Sequence, residues 1–524
     1  MSEAFDYIVV GGGTGGCVVA SRLAAKAGMR VLLLEAGGRD RHPFIHIPAT
    51  FSKVIWAGRD IRFIETEAVP GFGGRRDNIP VGNVLGGGSS VNAMIYSRGN
   101  RADYDDWAAA GNDGWSYDAV LPVYRRQEAN DRLSDAYHGT SGAIRVSTPK
   151  EPHPLSQAFV EAATQSGLPL NPDFNGAEQN GVGYYQATIH RGRRWSMATA
   201  FLKTAERSRL EVRTGAKVSG LLVENGHVKG VRLSDGNQLL ADGGVVLTAG
   251  ALETPRLLLV SGIGDADALK SVGVTAIHHL PGVGKNYQNH VEVTAMASIN
   301  KPISLQGADR GLRALGHAAR YALDRGGLLG SNVIEAGGYA DTSGDGRPDI
   351  QFHVLPMLKG LLPGEGKSAH GISISPCIIR PRSRGEVGIR DAAGSLSVNI
   401  GALDSDTDRQ ALMRGLRLSL EILAAGPLGR LVESVIGLPG PKATDDQLLA
   451  YIAGHARGVF HPAGTAKMGP ESDPAAVVSP ELKVHGLQGL QIADASIMPT
   501  IVAGNTNAPT AMIAERAADF ILQS

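Results

Sequence analysis

The sequence predicts an α/β protein with one discontinuous, Rossmann-like domain and an inserted domain built on an antiparallel sheet. Segments typical of a buried strand, a glycine-rich turn and a helix occur at the start of the 524-residue chain, near residues 245–262, and at its end. Between the last two, stretches such as "DIQFHV" and "GISISPCII" indicate strands of another sheet. We therefore expect the separated pieces to form one domain and the intervening chain a second.

The first element is a βαβ unit of about 30 residues. "YIVV" is short, β-branched and followed by glycine, which predicts a buried parallel strand. "CVVASRLAAKAG" predicts a helix that ends near Gly28, and "RVLLLEAG" predicts a second buried strand. This is the arrangement that begins a dinucleotide-binding fold.

Later segments extend both parts of the fold. "LEVRTGAKVSGLLVENGHVKGVRLSDG" alternates and contains Asn-Gly and Asp-Gly turns, which predicts an antiparallel meander. "GGVVLTAGALETPRLLLVSGIG" predicts a strand, turn and helix, "LQGLQIADASIMP" a strand and turn, and "NAPTAMIAERAADFIL" a closing helix. The predicted Rossmann-like domain covers residues 1–155, 200–300 and 456–524, and the second domain covers 156–199 and 301–455.

Composition and charge exclude several classes of function. Lys plus Arg and Asp plus Glu both number 51, so whole-chain charge indicates neither nucleic-acid binding nor an anionic membrane. Two cysteines, Cys17 and Cys377, form no metal-binding cluster, and the position of Cys17 in the first helix argues against a disulfide. Ahead of the first strand, "MSEAFDYIVV" shows no basic region or cleavable apolar segment, so we expect no leader, and no apolar run is long enough to span a bilayer. We expect a cytoplasmic protein, either a monomer or a homodimer, with no metal and no transmembrane segment.

The glycine turn after the first strand indicates the ligand. Gly11, Gly13 and Gly16 match the spacing that permits a tight turn, close approach of backbone to a pyrophosphate, and close packing of helix on strand. Glu35 ends the second strand, where its carboxylate can accept hydrogen bonds from a ribose 2′-hydroxyl. This pattern predicts a dinucleotide site but does not separate NAD from FAD.

Further motifs resemble those of the glucose–methanol–choline (GMC) flavin oxidoreductases. They are "NVLGGGSSVNAMIYSRGNRADYDDWA", "GALETPRLLLVSGIG", "PGVGKNYQNH", "FHPAGTAKMG" and "IADASIMPTIVAGNTNAPTAMIAERAADFI". The similarity runs from residue 5 to the C-terminus and is weakest in the inserted domain. Within the family the chain looks most like bacterial sorbose-dehydrogenase-type and choline-dehydrogenase-type members.

The resemblance implies FAD as cofactor and assigns residues to it. "LGGGSSVN" would follow the pyrophosphate and the isoalloxazine ring, and the residue at position 218 would meet the adenine through its backbone. The implied cofactor residues are Gly11, Gly13, Thr14, Gly16, Glu35, Gly88, Asn92, Val218, Asp494 and Ala495.

Two positions depart from the family pattern. Some members attach FAD through a histidine in the "GGGSSxN" segment, where this chain has Val91, so we expect non-covalent FAD. The family's "NLQDH" reads "NYQNH" here, with Asn289 in place of Asp. The sequence does not show what this second change does.

The resemblance also implies a catalytic pair. His461 in "FHPAGTAKMG" falls at the position of the general base, and a histidine supplies a base near neutral pH without much tuning. Asn505 in "GNTNAP" falls at the second position, where its amide can donate to the developing alkoxide. His353 lies on a predicted strand and either lines the substrate pocket or is a structural histidine.

The implied activity is oxidation of an alcohol to the carbonyl by base-assisted hydride transfer to the flavin N5. The partners are a small-molecule alcohol (a polyol, a ketose sugar or another small primary or secondary alcohol) and an external electron acceptor. A quinone, cytochrome or dye would make the protein a dehydrogenase, and oxygen would make it an oxidase that produces hydrogen peroxide. A hydroxynitrile-lyase-type enzyme, which uses the same fold without net redox chemistry, is the remaining alternative.

Overall fold

The computed structural model of the protein describes residues 5–206, 208–358 and 369–523. Positions 1–4, 207, 359–368 and 524 of the predicted domains lie outside these ranges. The strands, numbered β1 to β25 in chain order, are Phe5–Val10, Val31–Glu35, Ile61–Glu65, Asn78–Gly82, Glu128–Asn130, Ile144–Val146, Gly181–Tyr184, Ile189–His190, Arg193–Arg194, Leu210–Thr214, Val218–Glu224, His227–Leu233, Gln238–Leu247, Ile263–Gly264, His278–His279, Val291–Glu292, Ala295–Ile299, Ala336–Ala340, Ile350–Leu355, Gly371–Ile378, Glu386–Ile389, Leu396–Asn399, Val432–Val435, Arg457–Gly458 and Leu490–Ile492.

The helices are numbered in the same way. From α1 to α14 they are Thr14–Ala24, Pro43–His46, Phe51–Ala57, Gly88–Val91, Arg101–Ala109, Tyr117–Gln127, Pro154–Gln165, Gly250–Val260, Ala266–Ser271, Gly311–Asp324, Asp406–Ala424, Gly426–Leu431, Asp445–His455 and Asn507–Gln523. Among the helices of the described ranges, none is long and apolar enough to cross a membrane.

The first large sheet carries the predicted βαβ unit at its centre. Strand β1 pairs in parallel with β2 on one side and with β13 on the other, and β25 pairs in parallel with β13. Every residue of β2 is buried, as its unbroken apolar run predicts for a strand covered on both faces. Since the chain leaves β1 for one side of the sheet and later returns on the other, the carboxyl end of β1 is the switch point where ligands bind in such sheets.

One strand prediction was wrong. The sequence places Leu210–Thr214 in the antiparallel meander, but this segment is β10 and pairs in parallel with β2. Four of its five residues are only partly buried, because it lies at the edge of the sheet. An edge strand with one open side shows the same partial alternation as an antiparallel strand, which explains the error. The rest of the predicted meander, β11 to β13, is antiparallel, and Asn225 and Gly226 at its first turn both have positive φ.

The second large sheet is antiparallel, as predicted. Its strands β17, β20, β19, β18 and β7 lie side by side in that order. The sheet also includes β16 and β17, which precede residue 300. The predicted second domain, residues 156–199 and 301–455, therefore does not contain every strand of this sheet. The domain boundaries themselves stay a prediction.

Each sheet has its own apolar core. The first core is formed by residues of β1, β2, β13, α1 and α14. The second core is formed by residues of the antiparallel sheet, α7 and α11. Cys17 and Cys377 are both buried and form no disulfide with each other; Cys17 lies in α1 and Cys377 in β20.

The close packing of α1 on its own entry turn leads to a prediction. A Cβ on Gly16 would lie 1.9 Å from the carbonyl oxygen of Gly11, so Gly16→Ala should force the helix from the sheet. We expect a loss of about 1–3 kcal/mol in the free energy of unfolding, measured with denaturant. Gly454→Ala is the matched control, because it is also helical and its Cβ would meet nothing within 4 Å. Equal effects of the two changes would contradict the packing argument.

Candidate active site

Two glycine-rich turns meet at the carboxyl end of β1. Gly11 has a φ of +106°, and the backbone N–H of Gly86 donates to the carbonyl of Gly12 at 2.7 Å. A Cβ on Gly87 would lie 2.7 Å from the Cα of Gly13, so the second turn has no room for a side chain at Gly87. The segment that begins α4 at Gly88 is therefore held directly against the first glycine turn.

The N-terminus of α1 is open to an anion. Gly13 is the N-cap residue of this helix and has no side chain that could accept a hydrogen bond. The first N–H groups of the helix are therefore not used by a side-chain cap and can donate to a ligand. The hydroxyl of Thr14 donates to Oδ1 of Asn507 at 2.7 Å, which ties this helix to the start of α14. The two glycine turns, residues 11–13 and 86–88, form a glycine cradle. This cradle and the uncapped helix end fit the pyrophosphate of a dinucleotide.

Glu35 is fixed at the edge of the same cradle. Its carboxylate accepts from the backbone N–H of Gly12 at 2.8 Å and of Gly37 at 2.7 Å. Burial raises the pKa of Glu35, and these two hydrogen bonds oppose the rise. The carbonyl of Glu35 accepts from the N–H of Ala216 at 2.9 Å, which brings Val218 at the start of β11 to the same region.

Asp494 and Ala495 connect the cradle to the histidine segment. The Asp494 carboxylate accepts from the N–H of Gly250 at 2.9 Å and from the hydroxyl of Thr254 at 2.7 Å, which secures the N-terminus of α8. The carbonyl of Ala495 accepts from the N–H of Gly464 at 3.1 Å, three residues after His461.

Asn92 is oriented by a buried arginine. Its Oδ1 accepts from Nη1 of Arg194 at 2.8 Å and from the N–H of Met94 at 3.0 Å. Arg194 also donates to the carbonyls of Ile45 and Ser89, and burial lowers its pKa to about 9. The side chain of Asn92 is thus held in one orientation at the end of α4.

His461 and Asn505, the two residues predicted to be catalytic, lie within hydrogen-bond distance of each other. Nδ2 of Asn505 lies 3.3 Å from Nε2 of His461. The backbone N–H of His461 donates to Oδ1 of Asn289 at 2.8 Å, which gives a positioning contact to the residue that departs from the family's Asp. Either an amide or a carboxylate oxygen can accept this bond, so the contact survives the change.

A second histidine lies behind the first. Nδ1 of His290 is 3.0 Å from Nδ1 of His461, with the two rings nearly perpendicular. Oδ1 of Asn505 accepts from Nε2 of Gln351 at 3.1 Å, which leaves the amide Nδ2 to face His461 as a donor. Nε2 of His461 is then the acceptor in that bond, and Nδ1 carries the proton and donates to His290. In this tautomer the unprotonated nitrogen of His461 faces Asn505.

Burial keeps both imidazoles neutral. It is the main reason why the pKa of His461 falls well below its usual value, and the charges of His290 and His353 lower it further while Glu292 opposes the change. Burial likewise lowers the pKa of His290 to about 3, against the effect of backbone groups at Val502 and Ile379. The pair therefore offers a neutral acceptor nitrogen at neutral pH.

An ion pair lies in the same electrostatic environment. Glu292 is buried, and its Oε1 lies 3.0 Å from Nε of Arg457. Nδ1 of His353 is 4.0 Å from Oε2 of the same carboxylate. His353 thus belongs to the surroundings of His461, and the negative charge of Glu292 is compensated.

The sequence analysis missed His290, Gln351 and Arg194. His290 stands in the quoted "NYQNH", and Gln351 lies two residues from His353, on the same face of β19. These positions were available as signals, but the contacts join residues more than 100 positions apart.

The chain is similar to known proteins over nearly its whole length. Family models described as "GMC oxidoreductase" match residues 5–292 and, for the C-terminal part, 381–514. "Alcohol dehydrogenase [acceptor]" of Pseudomonas putida is 39% identical over 99% of this chain and 96% of its own length. "Choline dehydrogenase, mitochondrial" of Homo sapiens is 38% identical over 99% of this chain and 90% of its own. The crystal structure of pyridoxine 4-oxidase from Mesorbium loti superposes with a TM-score of 0.89 at 31% identity, covering 98% of both chains, and confirms the predicted fold class.

Proposed function

Because this chain belongs to the GMC oxidoreductase family, we propose that it is an alcohol dehydrogenase that passes electrons to an external acceptor. Its cofactor is FAD and its reaction is the FAD-dependent oxidation of an alcohol. Bound FAD supplies the hydride acceptor that the chain's own side chains lack. The observation that carries the proposal is the neutral His461 nitrogen held beside Asn505 at 3.3 Å.

The cradle residues are proposed to hold the dinucleotide. Gly11, Gly13 and Gly16 shape the turn, and the open end of α1 with Thr14 faces the pyrophosphate. Glu35 would accept from the adenosine ribose with the acceptor capacity that its two backbone hydrogen bonds leave. The backbone at Val218 would meet the adenine, and the remaining residues of this set, Gly88, Asn92, Asp494 and Ala495, would line the flavin half.

We expect the flavin to be held without a covalent bond. Val91 is buried among apolar side chains at the end of α4 and has no nucleophilic atom. Acid unfolding of the purified holoenzyme should release its flavin into solution, as measured by absorbance after precipitation. Flavin retained by the precipitated chain would contradict this expectation.

His461 and Asn505 divide the work on the substrate hydroxyl. Nε2 of His461 accepts the hydroxyl proton, because its tautomer leaves that nitrogen free of hydrogen. The Asn505 amide donates to the oxygen as negative charge develops. His290 is a positioning residue, since its Nδ1 lies 3.0 Å from Nδ1 of His461 and accepts the hydrogen bond from that protonated nitrogen.

The acceptor and compartment are proposed from the relatives and from the sequence. The Pseudomonas putida relative is named for an unspecified acceptor, which supports a quinone or cytochrome over oxygen for this chain. The 31%-identical pyridoxine 4-oxidase is an oxidase by name, so oxygen is the competing acceptor. The cytoplasmic location and the choice between monomer and homodimer stay predictions.

We propose a neutral alcohol as substrate. A quaternary ammonium group needs an uncompensated carboxylate or an aromatic cage. The buried acid near His461 is Glu292, and Arg457 pairs with it at 3.0 Å. A polyol, sugar or other uncharged alcohol avoids the repulsion that a fixed cation would meet from Arg457.

The first test follows flavin absorbance after anaerobic mixing of the holoenzyme with alcohols and sugars. Neutral alcohols of one class should bleach the flavin, and His461→Ala should slow bleaching by about 10²–10⁴-fold. Since the pKa of His461 lies well below 6.5, the rate should stay level from pH 8 to about 6.5 and fall only when more acid protonates Nε2.

Admission of air then separates the alternatives. Slow return of colour supports a dehydrogenase, whereas rapid return would mean an oxidase. Failure of every alcohol to bleach the flavin would overturn alcohol oxidation and favour a lyase of the same fold.

A second prediction concerns His290. His290→Ala should lower the limiting rate of flavin reduction by about 10–10²-fold with little change in KM, because His461 loses the partner for Nδ1–H. His290→Gln should restore most of that loss, since its amide oxygen can accept the same bond. His455→Ala is the control. The ring of His455 stacks on that of Tyr451, with 4.1 Å between the ring centroids, and takes no part in the contact between His290 and His461. Equal rates for the Gln and Ala variants would remove the tautomer role.

A third prediction tests substrate charge. 3,3-Dimethylbutan-1-ol, the uncharged isostere of choline, should reduce the flavin with at least about tenfold higher kcat/KM than choline. Arg457→Gln removes the arginine that pairs with Glu292 and should shift the ratio of the two kcat/KM values toward choline by a similar factor. Arg101→Gln changes an exposed arginine and should leave this ratio unchanged. A wild-type preference for choline would be the opposite of what the ion pair requires.

A further inference from the structure

Helix α10 turns its apolar face to solvent. Leu312, Leu315 and Leu323 fall on one side of the helix and are 86%, 65% and 87% exposed. Tyr321, on the opposite side, is its one buried residue. An amphipathic helix on a globular protein normally packs its apolar side on the core, so this helix presents the reverse arrangement.

Polar contacts on the inner side and at the ends of the helix hold this orientation. The hydroxyl of Tyr321 donates to the carbonyl of Gly192 at 2.9 Å. Arg320 pairs with Glu151 at 2.8 Å, and Asp309 just before the helix pairs with Lys53 of α3 at 3.2 Å. The outward leucines are therefore a fixed feature of the fold.

A large aromatic side chain adds to the exposed surface. Trp56 is 69% exposed and follows Lys53 by three residues, so it lies on the side of α3 that faces the start of α10. It stacks on Phe63, which is itself 39% exposed. Tryptophan is the residue that favours the boundary between lipid and water.

The border of this face is positively charged. Residues 309–325 contain four arginines against two aspartates. In the parts of the chain that the structure describes, Arg313 and Arg325 make no ion pair. Arg313 donates to the carbonyl of Gln306 at 3.2 Å and the guanidinium of Arg325 lies over the ring of Tyr321 at 4.9 Å, and each keeps further N–H donors for anionic groups outside the protein, although the charge of the whole chain is zero.

The size and charge of the face decide its occupant. A 14-residue helix is about 21 Å long and about 10 Å wide, so it offers roughly 200 Å² on one side. A stable dimer needs about 800 Å² from each partner. A two-fold contact through α10 would also place arginines of both copies beside each other. An anionic bilayer accepts a narrow apolar ridge and neutralises its arginine border.

We propose that α10, together with Trp56, docks the protein on the surface of an anionic phospholipid bilayer. The leucines enter the boundary between headgroups and acyl chains, and Arg313 and Arg325 bind lipid phosphates. The helix lies in the plane of the membrane and does not cross it. This inference concerns the surface alone and does not depend on the reaction at the active site.

Flotation of the full-length holoenzyme with vesicles tests the proposal. Vesicles of phosphatidylcholine with about one third phosphatidylglycerol should bind the protein, and pure phosphatidylcholine should bind it more weakly. Raising NaCl from ~0.05 to ~0.5 M should weaken binding, because salt screens the arginines. Leu312→Gln, Leu315→Gln and Leu323→Gln keep helix propensity and should each lower the partition coefficient by up to about tenfold.

Matched controls and alternative outcomes keep the test decisive. Leu170→Gln and Leu240→Gln alter leucines that are 64% and 48% exposed elsewhere and should leave partitioning unchanged. Thermal unfolding and flavin content of all variants check that they are folded. Absence of flotation by the wild type, or equal loss in the controls, would overturn the proposal. The proposal would also be overturned if the wild type were a dimer and combining the three leucine substitutions converted it to a monomer, because α10 would then contact a second copy.

Discussion

The active site depends on a chain of side-chain hydrogen bonds that runs from Gln351 through Asn505 and His461 to His290. Each bond determines the donor and acceptor roles in the next, so the direction of the Asn505 amide decides which nitrogen of His461 is free. These hydrogen bonds are partly buried, where they are stronger than in water and a wrongly placed proton is costly. It also crosses the molecule, since Gln351 lies in the antiparallel sheet and Asn505 just before the last helix. Any movement between these parts would disturb the tautomer before it disturbed the core.

The backbone at the carboxyl end of β1 imposes a second constraint on the same place. Glycine turns at residues 11–13 and 86–88 touch each other, and the hydroxyl of Thr14 reaches Asn507, two residues after Asn505. The dinucleotide cradle and the proton-accepting pair are therefore connected through the start of α14. An added Cβ at Gly11, Gly12, Gly86 or Gly87 would lie within 3.0 Å of a neighbouring atom, which accounts for glycine at these four positions better than chain flexibility does. The outward-facing α10 lies apart from this packed centre and is attached through the buried Tyr321 and through polar contacts.

Sequence patterns predicted the local elements well. The strand from Phe5 to Val10, the helix after Gly13 and the closing helix follow from short-range periodicity and turn chemistry. The edge strand Leu210–Thr214 was assigned to the wrong pairing, because partial exposure imitates alternation. His290 and Gln351 were missed, because their roles arise from contacts with residues 171 and 154 positions away. The pairing of Glu292 with Arg457 was missed for the same reason, because the two residues are far apart in the sequence. For α10 the sequence contains the amphipathic pattern but cannot tell which side meets the protein, since tertiary contacts of Tyr321 and Arg320 decide that.

The proton transfer depends on the tautomer of His461, which neutron diffraction from crystals of the oxidised holoenzyme in deuterated buffer would reveal. We expect deuterium on Nδ1 of His461, directed at Nδ1 of His290, and none on Nε2, which faces the amide of Asn505. Deuterium on Nε2, or on both nitrogens at neutral pH, would contradict this tautomer. In either of those cases His461 would have no free nitrogen facing Asn505, and the proton acceptor for the alcohol would have to be another group.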